Sequence, residues 1–178
     1  MIRLSKSSLS RLEKSAVMSV LAEEYLGMGS FVKKFEELLT EYFGRDTVCV
    51  SSGTAALHLA LEACDLDSES EVLLPSLTYV ASFQAVTASG AIPVSCDVNE
   101  KTFQLDLLDA EKRLTSKTKV LMPVYFAGAA PHIREYIDFC ALNGLTLIAD
   151  AAHAFGSSHK NERIGSFGGT SCFSFDGI

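Results

Sequence analysis

Between residues 8 and 43 the apolar positions recur at helical spacing. Leu12, Ala16, Val20 and Leu21 mark one face, and Phe31, Phe35, Leu38 and Leu39 mark another. The run Gly27-Met28-Gly29-Ser30 interrupts them, so two helices are expected, with Ser30 as a candidate cap for the second. After Gly44 the pattern changes. Short, continuous apolar runs alternate with helical ones: Thr47–Val50, then a helix over 54–63; Val72–Leu74, then 78–89; Ile92–Cys96, then 106–114; Val120–Val124, then 131–142; and Leu145–Ala149. Continuous runs predict strands buried on both faces. Strands interleaved with helices predict an α/β architecture around a mostly parallel, doubly covered sheet. Right-handed crossovers then gather the strand C-terminal ends on one edge, where ligands bind in such folds. Gly165–Thr170 is Gly-rich and reads as a turn between two late strands, the last being Cys172–Phe175. The expected organisation is an N-terminal helical segment, 1–43, followed by an α/β domain, 44–178.

Composition refines this picture. A chain of 178 residues is long enough for one good core. An apolar fraction of 48% and a mean hydropathy of +0.22 are high for a lone domain. Surplus apolar surface of this kind is expected to meet a second domain or a partner subunit. The strand Phe173–Phe175 runs to Ile178 without a cap or polar tail, so the natural polypeptide is expected to continue. A net charge of −7 and a pI near 5.1 argue against nucleic acid or an anionic membrane as partner. No apolar run reaches membrane-spanning length, and Met1–Lys6 shows no signal-peptide core. The five cysteines, Cys49, Cys64, Cys96, Cys140 and Cys172, are odd in number and form no C-x-x-C pair. They read as buried free thiols, which suits a reducing cytoplasm.

Two signatures about a hundred residues apart carry the candidate chemistry. In Ser51-Ser52-Gly53-Thr54-Ala55-Ala56-Leu57 a strand enters a small-residue turn and then a helix start. Free backbone N–H groups at Gly53 and Thr54, with the helix dipole behind them, form an anion cradle that needs no lysine. An ordinary turn with Thr54 as a plain helix cap fits the same residues. In Leu147-Ile148-Ala149-Asp150-Ala151-Ala152-His153 an apolar strand ends in a carboxylate. A buried carboxylate requires a cation or strong donors. A protonated ring nitrogen meets that need and makes the ring a better electron sink, as in pyridoxal phosphate enzymes. Capping of a following helix by Asp150 is the plainer alternative. His153, three residues on, can share a helical face with Asp150. Tyr79 lies at a proline-bearing turn into a helix, where an aromatic can stack on a flat cofactor or simply pack. Ser174 closes the last strand and can donate to the same anion as Gly53 and Thr54. A metal hydrolase built on Asp150, His153 and His159 lacks recognised ligand spacing, and no metal site is expected.

Taken together, the motifs resemble the fold-type I enzymes that use pyridoxal 5′-phosphate. More narrowly they are similar to the DegT/DnrJ/EryC1/StrS sugar aminotransferase family. The resemblance rests on S-G-T-x-A-L at Ser52–Leu57 and P-S-x-T-[FYW] at Pro75–Tyr79. It rests also on D-x-A-[QH] at Asp150–His153 and the G-x-x-G-x-x-x-x-F-S-F run beginning at Gly165. It implies a three-layer large domain with a mostly parallel sheet, and a smaller C-terminal domain beyond this chain. It implies that Gly53, Thr54 and Ser174 hold the cofactor phosphate, that Tyr79 stacks on the ring and that Asp150 pairs with the ring nitrogen. His153 would contact the ring's 3-oxygen, where many relatives have glutamine. Asp150 and His153 are thus the catalytic candidates within the chain, and the family's cofactor-bearing lysine would be residue 179.

The activity the resemblance implies is transfer of an amino group, from glutamate, to a nucleotide-linked keto-sugar for polysaccharide or glycoside biosynthesis. A cytoplasmic homodimer is implied as well. Two other readings stand beside it: a dehydratase of the same family, with histidine at residue 179, and a non-catalytic α/β fragment. The segment Val124–His132 departs from the family's usual pattern on the substrate side, and Asp67–Glu71 replaces a common G-D-E turn.

Overall fold

The computed structural model describes residues 8–176. Expectations resting on Met1–Lys6 and on Gly177–Ile178, including the approach to residue 179, lie outside them. The described residues form two compact units, 8–49 with Asp176, and Val50–Phe175.

In the first unit, α1 (Arg11–Ala22) opens on a capping box: Leu12 N–H donates to Ser10 Oγ, and Ser10 N–H to Glu13 Oε2. α2 (Ser30–Phe43) is capped by Gly29, so Ser30 is its first helical residue, contrary to the expected cap. Gly44, at φ 66°, ends it in the left-handed conformation that favours glycine. The expected strand Thr47–Val50 belongs to no ladder among the described residues. Its donors are diverted, with Thr47 N–H reaching Thr40 Oγ1 (3.2 Å) and Cys49 N–H reaching Glu36 Oε1 (2.8 Å).

The second unit is an α/β domain. Its elements are α3 (Gly53–Glu62), β1 (Glu71–Pro75), α4 (Val80–Ala88), β2 (Ile92–Cys96) and α5 (Leu107–Arg113). They continue with β3 (Thr118–Leu121), α6 (Ile133–Asn143), β4 (Thr146–Asp150), β5 (Ser158–His159), β6 (Glu162–Arg163) and β7 (Thr170–Cys172). Five strands form one sheet in the order β2-β1-β3-β4-β7, every neighbour parallel. β5 and β6 form a separate antiparallel hairpin.

Strand side chains alternate between the two faces. Leu73, Leu121, Leu147 and Ala149 join one buried cluster with Ala110 of α5 and Ile133, Tyr136 and Cys140 of α6. Val72, Leu74, Val120, Met122, Ile148 and Cys172 join another with Leu57 and Leu61 of α3 and Ala85 and Val86 of α4. The sheet is therefore the middle of three layers. β2 departs from the expected two-sided burial, because it is an edge strand with Ile92 and Ser95 exposed. Gly169 admits β7 to the sheet: a Cβ there would stand 1.9 Å from the Leu147 carbonyl oxygen. The hairpin is tied down by Arg134, which pairs with Glu162 and lies 4.4 Å over the Phe167 ring. No helix of the described residues is long and apolar enough to cross a membrane.

Candidate active site

From β1 the sheet grows in both directions, toward β2 on one side and β3 on the other. Parallel sheets bind ligands outside the strand C-terminal ends near such a switch point. Asp150 ends β4 at this edge and is 6% exposed. Its backbone is clamped, the N–H donating to Pro123 O (2.9 Å) and the carbonyl accepting from Tyr125 N–H (2.9 Å). Its carboxylate takes one fixed donor on each oxygen: Ser82 Oγ–H on Oδ2 at 2.7 Å, and Ala152 N–H on Oδ1 at 3.2 Å. Neither donor carries a charge. A buried anion so held retains acceptor capacity for a cationic donor.

Asp150 is in register with Cys172 of the neighbouring β7. Ser174 follows two residues later, within about 7 Å of Cys172. Here α3 begins. A Cβ on Gly53 would meet Ser174 Cβ at 3.2 Å and Phe173 O at 3.6 Å, so the helix start and the chain after β7 touch. Ser52 is the cap, accepting from Ala55 N–H at 3.1 Å, so Thr54 is an exposed second helical residue and not the plain helix cap of the alternative reading. The N–H groups of Gly53 and Thr54 precede the first intrahelical bond, Ala56 N–H to Ser52 O.

Tyr79 is the residue before α4 and is 76% exposed, so its ring presents open faces. α4 carries Ser82 to Asp150 three residues later. His153 lies beyond Asp150 on turns, not on a helix, with Ala154 N–H bonded to Ala151 O and Ser157 N–H to Ala154 O. The shared helical face expected for Asp150 and His153 is therefore absent, and His153 instead sets its ring edge-on to Phe126, centroids 6.4 Å apart. Gly128, at φ 80°, brings the Phe126–Gly128 turn against this segment, where a Cβ would stand 2.8 Å from His153 O. Among the described residues no three His, Cys, Asp or Glu side chains gather as a metal set, so Asp150, His153 and His159 do not assemble the hydrolase site.

Comparison with known proteins decides the family. The model of the DegT/DnrJ/EryC1/StrS aminotransferase family matches residues 8–178. The chain belongs to that family. The GDP-perosamine synthase of Escherichia coli O157:H7 is 37% identical over 172 residues, covering 96% of this chain and 47% of that protein. The dTDP-4-dehydro-2,3,6-trideoxy-D-glucose 4-aminotransferase of Saccharopolyspora spinosa is 35% identical over 181 residues, covering 100% and 47%. Among solved structures, PseC of Helicobacter pylori, an aminotransferase of pseudoaminic acid biosynthesis, superimposes with a TM-score of 0.92 at 28% identity, over 99% of this chain and 48% of that one. Spr1654 of Streptococcus pneumoniae, assigned as a sugar aminotransferase and solved in PMP and PLP forms, gives 0.90 at 30% identity, over 99% and 49%. These matches establish the DegT/DnrJ/EryC1/StrS large-domain fold for this chain. The chain spans about half the length of the relatives it matches.

Within this family frame, the edge gathers the Gly53–Ser174 contact, Asp150 and the start of α4. Sequence reading missed Ser82 and the capping role of Ser52. Ser52 was visible as the small polar residue before an apolar helix. Ser82 left no local signal, since its partner is 68 residues away.

Proposed function

We propose that the full protein is a pyridoxal phosphate-dependent sugar aminotransferase and that this chain supplies its cofactor edge. The observation that carries the reading is the buried Asp150, held by two uncharged donors beside the Gly53–Ser174 contact. The donor set fits the cofactor at both ends. Uncapped N–H groups at a helix start suit a phosphate, and a buried carboxylate suits a protonated ring nitrogen. When bound, the cofactor supplies a cationic ring that withdraws the electron pair released as the amino group changes hands.

The residues of this chain then have distinct tasks. Gly53 and Thr54 offer backbone N–H groups to the phosphate, and Ser174 its hydroxyl. Tyr79 covers one face of the ring. Asp150 keeps the ring nitrogen protonated. His153 approaches the 3-oxygen, with its ring edge-on to Phe126. The amino donor is glutamate and the acceptor a nucleotide-linked keto-sugar, in keeping with the GDP- and dTDP-sugar names of the relatives. The protein works in the cytoplasm as a homodimer.

The test is a pair of half-reactions in the full-length protein loaded with pyridoxal phosphate. Glutamate should convert the cofactor spectrum to that of the amine form, and a nucleotide-linked 4-keto-sugar should restore it. No spectral response to any amino donor would refute the reading.

A further inference from the structure

We propose that Ser82, with Thr78 behind it, is a positioning residue that aims the Asp150 carboxylate at the cofactor's ring nitrogen. The inference rests on the cofactor reading above and gives a task to Thr78, a motif residue that reading leaves without one. Ser82 is 0% exposed, and a buried hydroxyl needs partners. It has two: Asp150 Oδ2 at 2.7 Å and Thr78 Oγ1 at 2.6 Å.

Proton counting orders the relay. An ionised carboxylate only accepts, so the Ser82 proton points at Asp150. The proton between Thr78 and Ser82 must then come from Thr78. The chain runs Thr78 to Ser82 to Asp150, and each bond polarises the next. Ala152 N–H holds the other carboxylate oxygen at 3.2 Å. With one donor on each oxygen, the carboxylate plane cannot turn about its Cβ–Cγ bond without breaking a bond. Without Ser82, only the longer Ala152 bond would orient it. The relay also links recognition steps, because Thr78 directly precedes Tyr79 and Ser82 sits in the first turn of α4.

The experiment is a binding cycle on cofactor-free, full-length protein. The ligands are pyridoxal phosphate and an analogue with carbon in place of the ring nitrogen. Ser82→Ala should weaken pyridoxal phosphate binding about 10-fold, as expected for one hydrogen bond to a charged group. Ser82→Thr should restore binding to within about 3-fold, the hydroxyl being retained. With the carbon analogue the wild type and Ser82→Ala should bind alike, because no ring nitrogen faces Asp150. Thr78→Val, at a half-buried position, should give a smaller loss in the same direction, and it serves if Ser82→Ala fails to fold. Equal pyridoxal phosphate affinity in wild type, Ser82→Ala and Thr78→Val would overturn the relay. An equal penalty with both ligands would also overturn it, reducing Ser82 to a packing residue. Wild-type protein that binds neither ligand would instead overturn the cofactor reading, and the relay with it.

Discussion

Gly53→Ala separates the demands of packing from those of helix formation. Gly53 is the first residue of α3 and its backbone is not in the left-handed region, so alanine is locally permitted. Helix propensity alone favours the change by up to about 1 kcal/mol. Packing opposes it. The new methyl would sit 3.2 Å from Ser174 Cβ, 3.6 Å from Ser174 Oγ and 3.6 Å from Phe173 O. Carbon atoms prefer about 3.5–4.0 Å, so the helix start and the chain after β7 must part by a few tenths of an ångström. The obstructing atom is the Ser174 Cβ, which is fixed to the backbone and cannot swing aside as a side-chain tip could, whereas Phe173 O and Ser174 Oγ stand at ordinary contact distance. Overpacking of this kind costs about 1–3 kcal/mol. The net expectation is a loss of ~1 kcal/mol, seen as a melting temperature a few degrees lower. Pyridoxal phosphate affinity should fall about 10-fold, or ~1.4 kcal/mol, because the parted groups are the proposed phosphate ligands. Thermal unfolding and cofactor titration of the full-length protein measure the two effects. Gly90→Ala is the control: at φ 82° with nothing within 4 Å, it should cost stability through backbone strain while leaving cofactor affinity intact. A Gly53→Ala protein as stable and as tightly bound as wild type would mean that the Gly53–Ser174 contact limits neither packing nor cofactor binding.

Asp150→Asn should lower glutamate half-reaction rates by at least about 100-fold while the fold persists, since a neutral amide still accepts from Ser82 but cannot hold a ring cation; near wild-type turnover would contradict it. Burial holds the thiols of Cys96 up to about 11, and of Cys140 and Cys172 up to about 12, with the Asp150 charge adding to the shift at Cys172. Above about pH 8.5 the unfolded chain sheds those protons while the folded chain keeps them, so stability should fall as pH rises from there toward 11–12. Denaturant unfolding at several alkaline pH values measures this slope, and Cys140→Ala should flatten it. Light scattering of the full-length protein at micromolar concentration should show a dimer, and a monomer would count against the proposed assembly.

Much of the α/β unit was legible because its pattern is local. Leu73 and Val72, adjacent in sequence, lie in clusters on opposite faces, and such continuous apolar runs belong to strands covered on both sides. The run Thr47–Val50 is also short and rich in β-branched residues but forms no ladder among the described residues. Val48 and Val50 are exposed, and the backbone donors at Thr47 and Cys49 go to α2 side chains. Strand propensity says nothing about whether a neighbouring strand is available. Asp150 and Gly53 could be singled out by residue type and position alone. Ser82 could not, because its role arises from α4 laying one hydroxyl beside a strand end far along the chain. The shared helical face of Asp150 and His153 failed for a related reason. The chain there turns to place Ala151 N–H on Cys172 O, a tertiary bond, and Ala152 N–H on the Asp150 carboxylate, a local one, and the two replace a helical ladder.

The edge formed by Gly53, Asp150 and Ser174 is proposed to hold pyridoxal phosphate. Borohydride reduction of the full-length protein with pyridoxal phosphate, followed by tryptic mapping, tests it most directly. One reduced cofactor per chain is expected, carried on a lysine of the peptide that starts at Ile164 after cleavage at Arg163 and continues past Ser174, residue 179 being the lysine that the family resemblance implies. A protein that takes up no cofactor, or carries it on a peptide remote from this edge, would mean that this edge is not the cofactor site.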